Sequence, residues 1–353
     1  MAYTTIDNPE LYFQSKTYTA NASGQSITFD GSKNMQPDWL WIKARDQAYQ
    51  HSLRDSVRGP TKTLRSNGTN AEATQSDSVT SFDSNGFTLG ADSNSFVNQD
   101  GVAYISWGWS AGTTSGLSGG NITPSAYSYN ASAGFGIYKY TGNGSSDQTI
   151  PHGLGKKPQL IFYKNLETST TNWVVQSNLL GNRAQLVLNG TDANTTDSRL
   201  GASDSWDTTN FNVGSYVDMN TNGESHIAYA FCNIKGYSKV GTYKANGNTN
   251  GTFVYTGFKP AFVLIKSTSN AVNWQINDNG TAPINLMTNK LFGNTSAAQD
   301  TGSENTMDFL SNGFKMRGTG SSENINGSGY SYIYLAFAEN PFVNSNGVPC
   351  NAR

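Results

Sequence analysis

The sequence predicts an all-β protein built of three tandem β-sandwich, jelly-roll-like repeats of about 95 residues each. Composition sets the class. Of 353 residues, 14% are charged and 12% aromatic, whereas a disordered chain carries high charge and too little apolar area to offset its conformational entropy. Abundant Asn, Gly, Ser and Thr beside aromatic and β-branched residues read as short strands joined by tight turns. No stretch keeps apolar spacing of three and four beyond two turns, so no long helix is expected. Self-comparison sets the number of units.

Three strings share a Pro, five mostly apolar residues and a Lys: Pro37 to Lys43, Pro158 to Lys164 and Pro260 to Lys266. Apolar residues fill odd and even positions alike, which predicts a strand buried on both faces. A Tyr-x-x-Asn element precedes each string, at Tyr18 to Asn21, Tyr140 to Asn143 and Tyr243 to Asn246. Paired aromatics follow it, Phe82 with Phe87, Trp206 with Phe211 and Phe309 with Phe314, each leading to a glycine, Gly90, Gly214 or Gly318. An Asn-x-x-Gly-x3-Ile-x3-aromatic block closes each copy, from Asn98 to Trp109, Asn220 to Phe231 and Asn326 to Phe337. Constant order and near-equal length predict one folding unit used three times, with roughly six to eight short strands in each. Propeller blades are about half this length.

The expected organisation is an N-terminal arm (1–15), a first unit (16–110), a Gly/Ser-rich linker (111–133), a second unit (134–232), a third unit (240–339) and a C-terminal arm (340–353). The short junction after Cys232 predicts a rigid pair of units two and three, with unit one on a tether.

A formal net charge of −2 argues against nucleic-acid binding, which needs clustered cations to neutralise phosphates. No apolar run reaches the roughly 20 residues of a membrane helix, and Met1 to Gln14 lacks the blocks of a signal peptide. A soluble protein without membrane insertion is expected. Cys232 and Cys350 read as free thiols.

Catalytic patterns fail on context. Gly116-Leu-Ser-Gly-Gly120 lies in the linker rather than between a strand and a helix, as a nucleophile elbow requires. His51, His152 and His226 fall in different units without zinc-ligand spacing. No two glutamates share a strand, as the acids of many glycosidases on this scaffold do, so depolymerase activity remains only as an alternative. No catalytic residue and no cofactor are expected. Asp218, Asn220 and Asn222 resemble half of a calcium loop, but only the Asn and Gly recur between units, as a tight turn requires. Unit one holds the densest charge: Lys43, Arg45, Arg54, Arg58, Lys62 and Arg65, with Asp46 and Asp55. These read as an ion-paired or subunit-contact face, with a patch for acidic sugars or phosphates as the sharper alternative. Aromatics outside the recurring blocks, Tyr49, Tyr127, Tyr129, Tyr237 and Tyr330, are the candidates for stacking on a sugar. Leu11, Tyr12 and Phe13, an apolar run in a polar arm, are the candidate anchor.

Unit two carries Gly134-Phe-Gly-Ile137, Tyr140-Thr-Gly-Asn-Gly144, Pro151-His-Gly-Leu-Gly155, Asn172-Trp-Val-Val175 and Tyr229-Ala-Phe231; unit one carries Trp41-Ile-Lys-Ala-Arg45 and Asp55-Ser-Val-Arg-Gly59. In these strings the chain, over about residues 10 to 340, resembles an uncharacterised repeat family of marine and cyanobacterial bacteriophage proteins, tail-fibre-like or structural, with a concanavalin A-like or laminin G-like sandwich. The resemblance implies a non-enzymatic virion protein made in a host bacterial cytoplasm, either a fibre or spike or a capsid or tail decoration protein. Implied partners are other virion proteins, copies of the same chain with a homotrimer favoured, and host surface polysaccharide. The resemblance brings no catalytic residues.

Overall fold

A computed structural model describes residues 3–94, 96–319 and 324–350. The fold is all-β, 41% strand and 3% helix, in antiparallel sheets of which none closes into a barrel. No helix among the described residues is long and apolar enough to cross a membrane.

Each Pro-x5-Lys string forms a strand, Trp39–Ala44, Leu160–Asn165 and Phe258–Ser267, buried on both faces as its sequence predicts. Three large sheets are built around these strands. The first runs Phe13–Thr19, Ala103–Trp109, Trp39–Ala44, Ser52–Asp55, Gly59–Leu64, Ala73–Thr74. The second runs Ala126–Asn130, Phe135–Thr141, Ser225–Phe231, Leu160–Asn165, Val174–Ser177, Ala184–Val187, Thr195–Thr196. The third runs Ser238–Lys244, Ser331–Pro341, Phe258–Ser267, Gln275–Asp278, Leu291–Phe292. In each, the strand bearing the Tyr of Tyr-x-x-Asn pairs with the strand ending the closing block, which pairs with the Pro-x5-Lys strand.

A small sheet covers the outer face of each large one: Gln25–Ile27, Gly86–Leu89 and Val79–Asp83; Gln148–Pro151 with Asn210–Val213; and Phe253–Tyr255, Gly313–Met316 and Met307–Leu310. Leu40 and Ile42 meet Ile27 and Phe87 there, Ile161 and Tyr163 meet Ile150 and Phe211, and Val263 and Ile265 meet Val254 and Phe314.

The recurring polar residues serve loops that tie these layers together. The hydroxyls of Tyr18, Tyr140 and Tyr243 donate to the carbonyls of Val97, Met219 and Ile325 at 2.7, 2.6 and 2.7 Å. The next residue is the recurring Asn. Asn98 donates through its amide to Ser23 O and Gly90 O, and Asn220 to Ser145 O and Gly214 O, while their side-chain oxygens accept the backbone N–H of Asn21 and Asn143. At Gly90 and Gly214 a Cβ would run into the carbonyls of Asp77 and Arg199, so the backbone approach there requires glycine.

The inner faces of the three large sheets share one core. Trp39, Trp41, Trp107 and Trp109 of the first pack with Phe135, Phe162, Tyr229 and Phe231 of the second and Phe262, Leu264, Leu335 and Phe337 of the third. Trp39 stacks on Tyr229 (centroids 4.8 Å apart), Phe13 stacks on Phe337 (5.4 Å) and Phe231 meets Phe337 edge-on (6.0 Å), so each sheet touches both others. All seven tryptophans of the chain are buried.

Hydrogen bonds close the ring in one rotational sense. Glu72 N donates to Leu166 O, Asn194 N to Thr268 O and Gln299 N to Arg45 O, at 2.9, 3.0 and 2.6 Å. Trp173 Nε1 donates to Arg65 O and Trp274 Nε1 to Val187 O, both at 2.8 Å, while at the third seam His51 Nε2 lies 3.0 Å from Phe292 O.

Three expectations are corrected. Unit one is not tethered, because its tryptophans fill the common core. The expected linker, 111–133, includes the edge strand Ala126–Asn130, and the Asp38 carboxylate holds it by accepting from Ala111 N at 2.7 Å and Ser128 Oγ at 3.0 Å. The arms are packed segments: Pro9–Leu11 is a 3-10 turn, Phe13 opens the first sheet, and Asp7 accepts from Ser345 near the other end.

Candidate functional site

Much of the charge concentrated in the first block turns inward and is ion-paired or hydrogen-bonded there, whereas Lys62 and Asp46 reach the surface. Lys43 and Arg54 are fully buried, as is the Arg58 side chain. Arg58 donates to Asp55 Oδ2 at 2.6 Å, Glu72 Oε2 at 3.4 Å and Leu53 O at 3.1 Å. Tyr229 of the second sheet donates to the same Asp55 oxygen at 2.7 Å. Burial alone would lower the Arg58 pKa, but Asp55, Tyr229 and Glu72 outweigh it and hold it raised. Arg54 donates to Gln75 Oε1, Pro60 O and Ser52 Oγ, and burial pushes it down to about 9. Lys62 pairs with Glu72 at 3.4 Å, Arg65 lies over the Phe96 ring at 4.7 Å, and Arg45 donates to Gln299 Oε1 at 2.8 Å across another seam.

The Lys of each Pro-x5-Lys string is likewise fully buried. Lys164 Nζ donates to Thr171 O at 2.8 Å and to Thr69 O in the first block at 3.0 Å. Lys266 Nζ donates to Ser267 O and to Thr191 O in the second block, both at 2.9 Å, and Lys43 Nζ to Ala44 O at 2.8 Å. Among the described residues none of the three has a carboxylate partner. Burial pushes Lys43 down to about 7 and Lys164 and Lys266 to about 8.

The histidines are structural. His51 Nδ1 accepts from Trp41 Nε1 at 2.7 Å, which leaves Nε2 as the donor to Phe292 O. His226 Nε2 accepts from Thr221 N, in the place where the hydroxyls of Tyr104 and Tyr332 accept from Gln99 N and Gly327 N. His152 Nδ1 accepts from Leu154 N at 3.0 Å. Burial lowers all three, His51 to about 3.

Of the calcium-loop residues, Asp218 lies in the short helix Val217–Asn220, Asn222 is exposed, and the Asn220 amide is committed to its loop. Among the described residues no group of three or more His, Cys, Asp or Glu side chains is placed to hold a metal. The anchor residues are corrected too: Phe13 is in the shared core, Tyr12 packs edge-on to Tyr237, and only Leu11 is exposed.

Cavities lie between blocks among the described residues. One of about 660 Å3 is lined by Asp38, Ser56, Ala111 and Tyr127, one of about 490 Å3 by Leu179, Asn194, Tyr243 and Ser331, and one of about 240 Å3 by Glu10, Asp30, Asn279 and Glu339. Their carboxylates are held by the fold: Glu10 accepts from Ser32, Asp30 pairs with Lys16 at 2.5 Å, and Glu339 pairs with Lys259 at 2.6 Å.

The exposed aromatic surface lies elsewhere, on the outer face of the third small sheet. Val254 points inward, while Phe253 and Tyr255 on either side are 43% and 48% exposed. Their cross-strand neighbours are Lys315 and Gly313. Tyr3 joins them, its hydroxyl 3.0 Å from that of Tyr255 and donating to Gly257 O at 2.8 Å. Lys235 Nζ sits 4.3 Å from the Tyr3 ring centre and Lys239 Nζ 5.4 Å from that of Tyr255. Ile284 and Leu286 are exposed beside Phe309, to which Asn285 is bonded twice.

The tyrosines expected to stack on sugars are partly or wholly buried, Tyr237 completely so. Aligning the blocks would have found the exposed ones. Ile27, Ile150 and Val254 face Phe87, Phe211 and Phe314, so Phe253 and Tyr255 stand where the other blocks carry Ser26 and Thr28, or Thr149 and Pro151.

Residues 8–341 match the family described as a domain of unknown function (DUF7483). No curated protein and no solved structure matches the chain.

Proposed function

The chain belongs to the DUF7483 family, and we propose that it is a non-enzymatic bacteriophage virion structural protein, a fibre- or spike-like module that meets the host surface. The observation that carries this reading is the closed ring of three sheets around one aromatic core. Its seams are sealed by buried rings, by lysines and by the Tyr229 hydroxyl on Asp55, contacts that fix the three sheets against one another. Such a body suits mechanical attachment better than the closing motions of many enzymes. The strings resembling phage repeat proteins support the virion assignment.

We read the finer architecture as three tandem β-sandwich repeats fused into a single-chain pseudo-trimer. The matching sheet orders, the Tyr–Asn loop bonds and the rotating seam bonds support that reading. Three-fold order is then met within one chain, and further copies add avidity through linked weak contacts.

The test is to locate the protein in purified particles by quantitative mass spectrometry and antibody labelling. Low-copy density at the tail, with purified protein blocking adsorption, is the expected result. Dense coverage of the capsid lattice would favour a purely architectural decoration role. Absence from particles would refute the virion assignment, and shortening of host polysaccharide by the purified protein would refute the non-enzymatic one.

A further inference from the structure

The outer face of the third small sheet combines features that the corresponding faces of the other two lack. Ser26 there is bonded to Thr88 at 3.1 Å, a polar surface satisfied within itself. Phe253 and Tyr255 instead expose two rings from alternate positions of one strand, and alternate positions project to the same side. Gly313 stands opposite Tyr255 without a side chain, and a Cβ there would lie 3.1 Å from Phe253 Cε2, so the Phe253 ring extends over that gap. Tyr3, bonded to Tyr255 and Gly257, extends the aromatic floor.

The rim is cationic. Lys235 and Lys239 each sit against a tyrosine ring, and Lys315 flanks Phe253 across the strand pair. Among the described residues, none of the three has a carboxylate within ion-pair distance. Exposed rings offer their faces to the C–H surface of a sugar, and the ammonium groups of Lys235 and Lys239 beside them select a carboxylate or sulfate; Asp308, opposite Lys315 on the next strand, is already paired with Arg317. A neutral glycan would leave the lysines without a counterpart.

We propose that the face formed by Tyr3, Phe253, Tyr255, Lys235, Lys239 and Lys315 binds an acidic saccharide. This names a ligand class for the attachment reading and rests on that reading only for where the sugar comes from.

The full chain is titrated calorimetrically with three acidic probes, an oligogalacturonate, an oligoalginate and chondroitin sulfate oligomers, and with the methyl ester of the first. Saturable binding to at least one acidic probe is expected, weakened about fivefold or more by high salt and, for the galacturonate, by esterification. Phe253→Ala and Tyr255→Ala should each weaken it about tenfold, and Lys239→Gln should reduce the salt dependence, all with unchanged melting temperature. Ser26→Ala, at the position in the first block that corresponds to Phe253, should change nothing. Failure of all three acidic probes to bind, equal affinity for acid and ester, or full binding by the Phe253 and Tyr255 variants would each overturn the proposal. Self-association abolished by those same variants would overturn it in favour of a second copy on this face. Particle location is read separately, so the two readings fail independently.

Discussion

Raising the pH from 7 to 9 should stabilise this protein, against the usual trend for lysine-bearing proteins. Lys43, Lys164 and Lys266 have pKa values of about 7, 8 and 8 in the fold, against an ordinary 10.5. Between those values the unfolded chain holds protons that the folded chain has released. Stability therefore rises with pH wherever the unfolded state binds more protons. At about 1.4 kcal/mol per pKa unit, partial release over two pH units gives a combined gain of about 3–5 kcal/mol. The histidines, lowered from 6.5, act below this window and Cys232, pushed up from 9.0 to about 12, acts above it, while Lys239, lowered by its partial burial, adds to the rise in the same sense. Urea unfolding at pH 7, 8 and 9, followed by tryptophan fluorescence, reads the effect as a rising midpoint. Lys164→Met and Lys266→Met should each flatten the slope. A midpoint that stays level or falls from pH 7 to 9 in the native chain would refute the argument that burial of these ammonium groups outweighs the more distant carboxylates of Asp46, Asp218 and Asp192.

Trp274→Phe removes the donor to Val187 O and should cost about 1–2 kcal/mol in denaturant unfolding; no loss would mean that this bond does not hold its seam. Arg58→Met removes the cation paired with the buried Asp55, leaving it the Tyr229 hydroxyl, and should cost about 3–5 kcal/mol by calorimetry, with part of the loss restored by adding Asp55→Asn. Gly214→Ala drives a Cβ into Arg199 O and should lower the melting temperature by several degrees, whereas Gly24→Ala, whose nearest neighbour would be 3.7 Å away, should not. A chain ending at Cys232 lacks the third sheet and should bind a hydrophobic dye and aggregate, whereas a monodisperse, dye-silent fragment would show that two sheets suffice.

The loops were legible because their bonding partners recur together: Tyr140 and Asn220 are bound to one loop, so each keeps its place in every block. The doubly buried strands were legible from unbroken apolar runs such as Trp39 to Ile42. What covered their second face was not. Trp41 reads the same whether its neighbour is a private sheet or one some 200 residues away, because periodicity reports burial and not the partner. The charge around Arg58 had the same ambiguity, since density along a chain does not distinguish a solvated face from a sealed seam. Tyr255 was missed for a different reason. Its segment alternates like any half-buried strand, and the equivalent positions do not agree on a side: Thr28 is exposed, whereas Pro151 is buried.

The bond from His51 to Phe292 O joins residues 241 positions apart, and that separation has a cost during synthesis. At about 5–20 residues per second, the first block leaves the ribosome about 10–50 s before the strand that seals it. Through that interval Trp41 and Trp107 have no third sheet to lie against. The nascent chain therefore carries an uncovered aromatic face, and its yield in a cell depends on how well that face is shielded until translation ends.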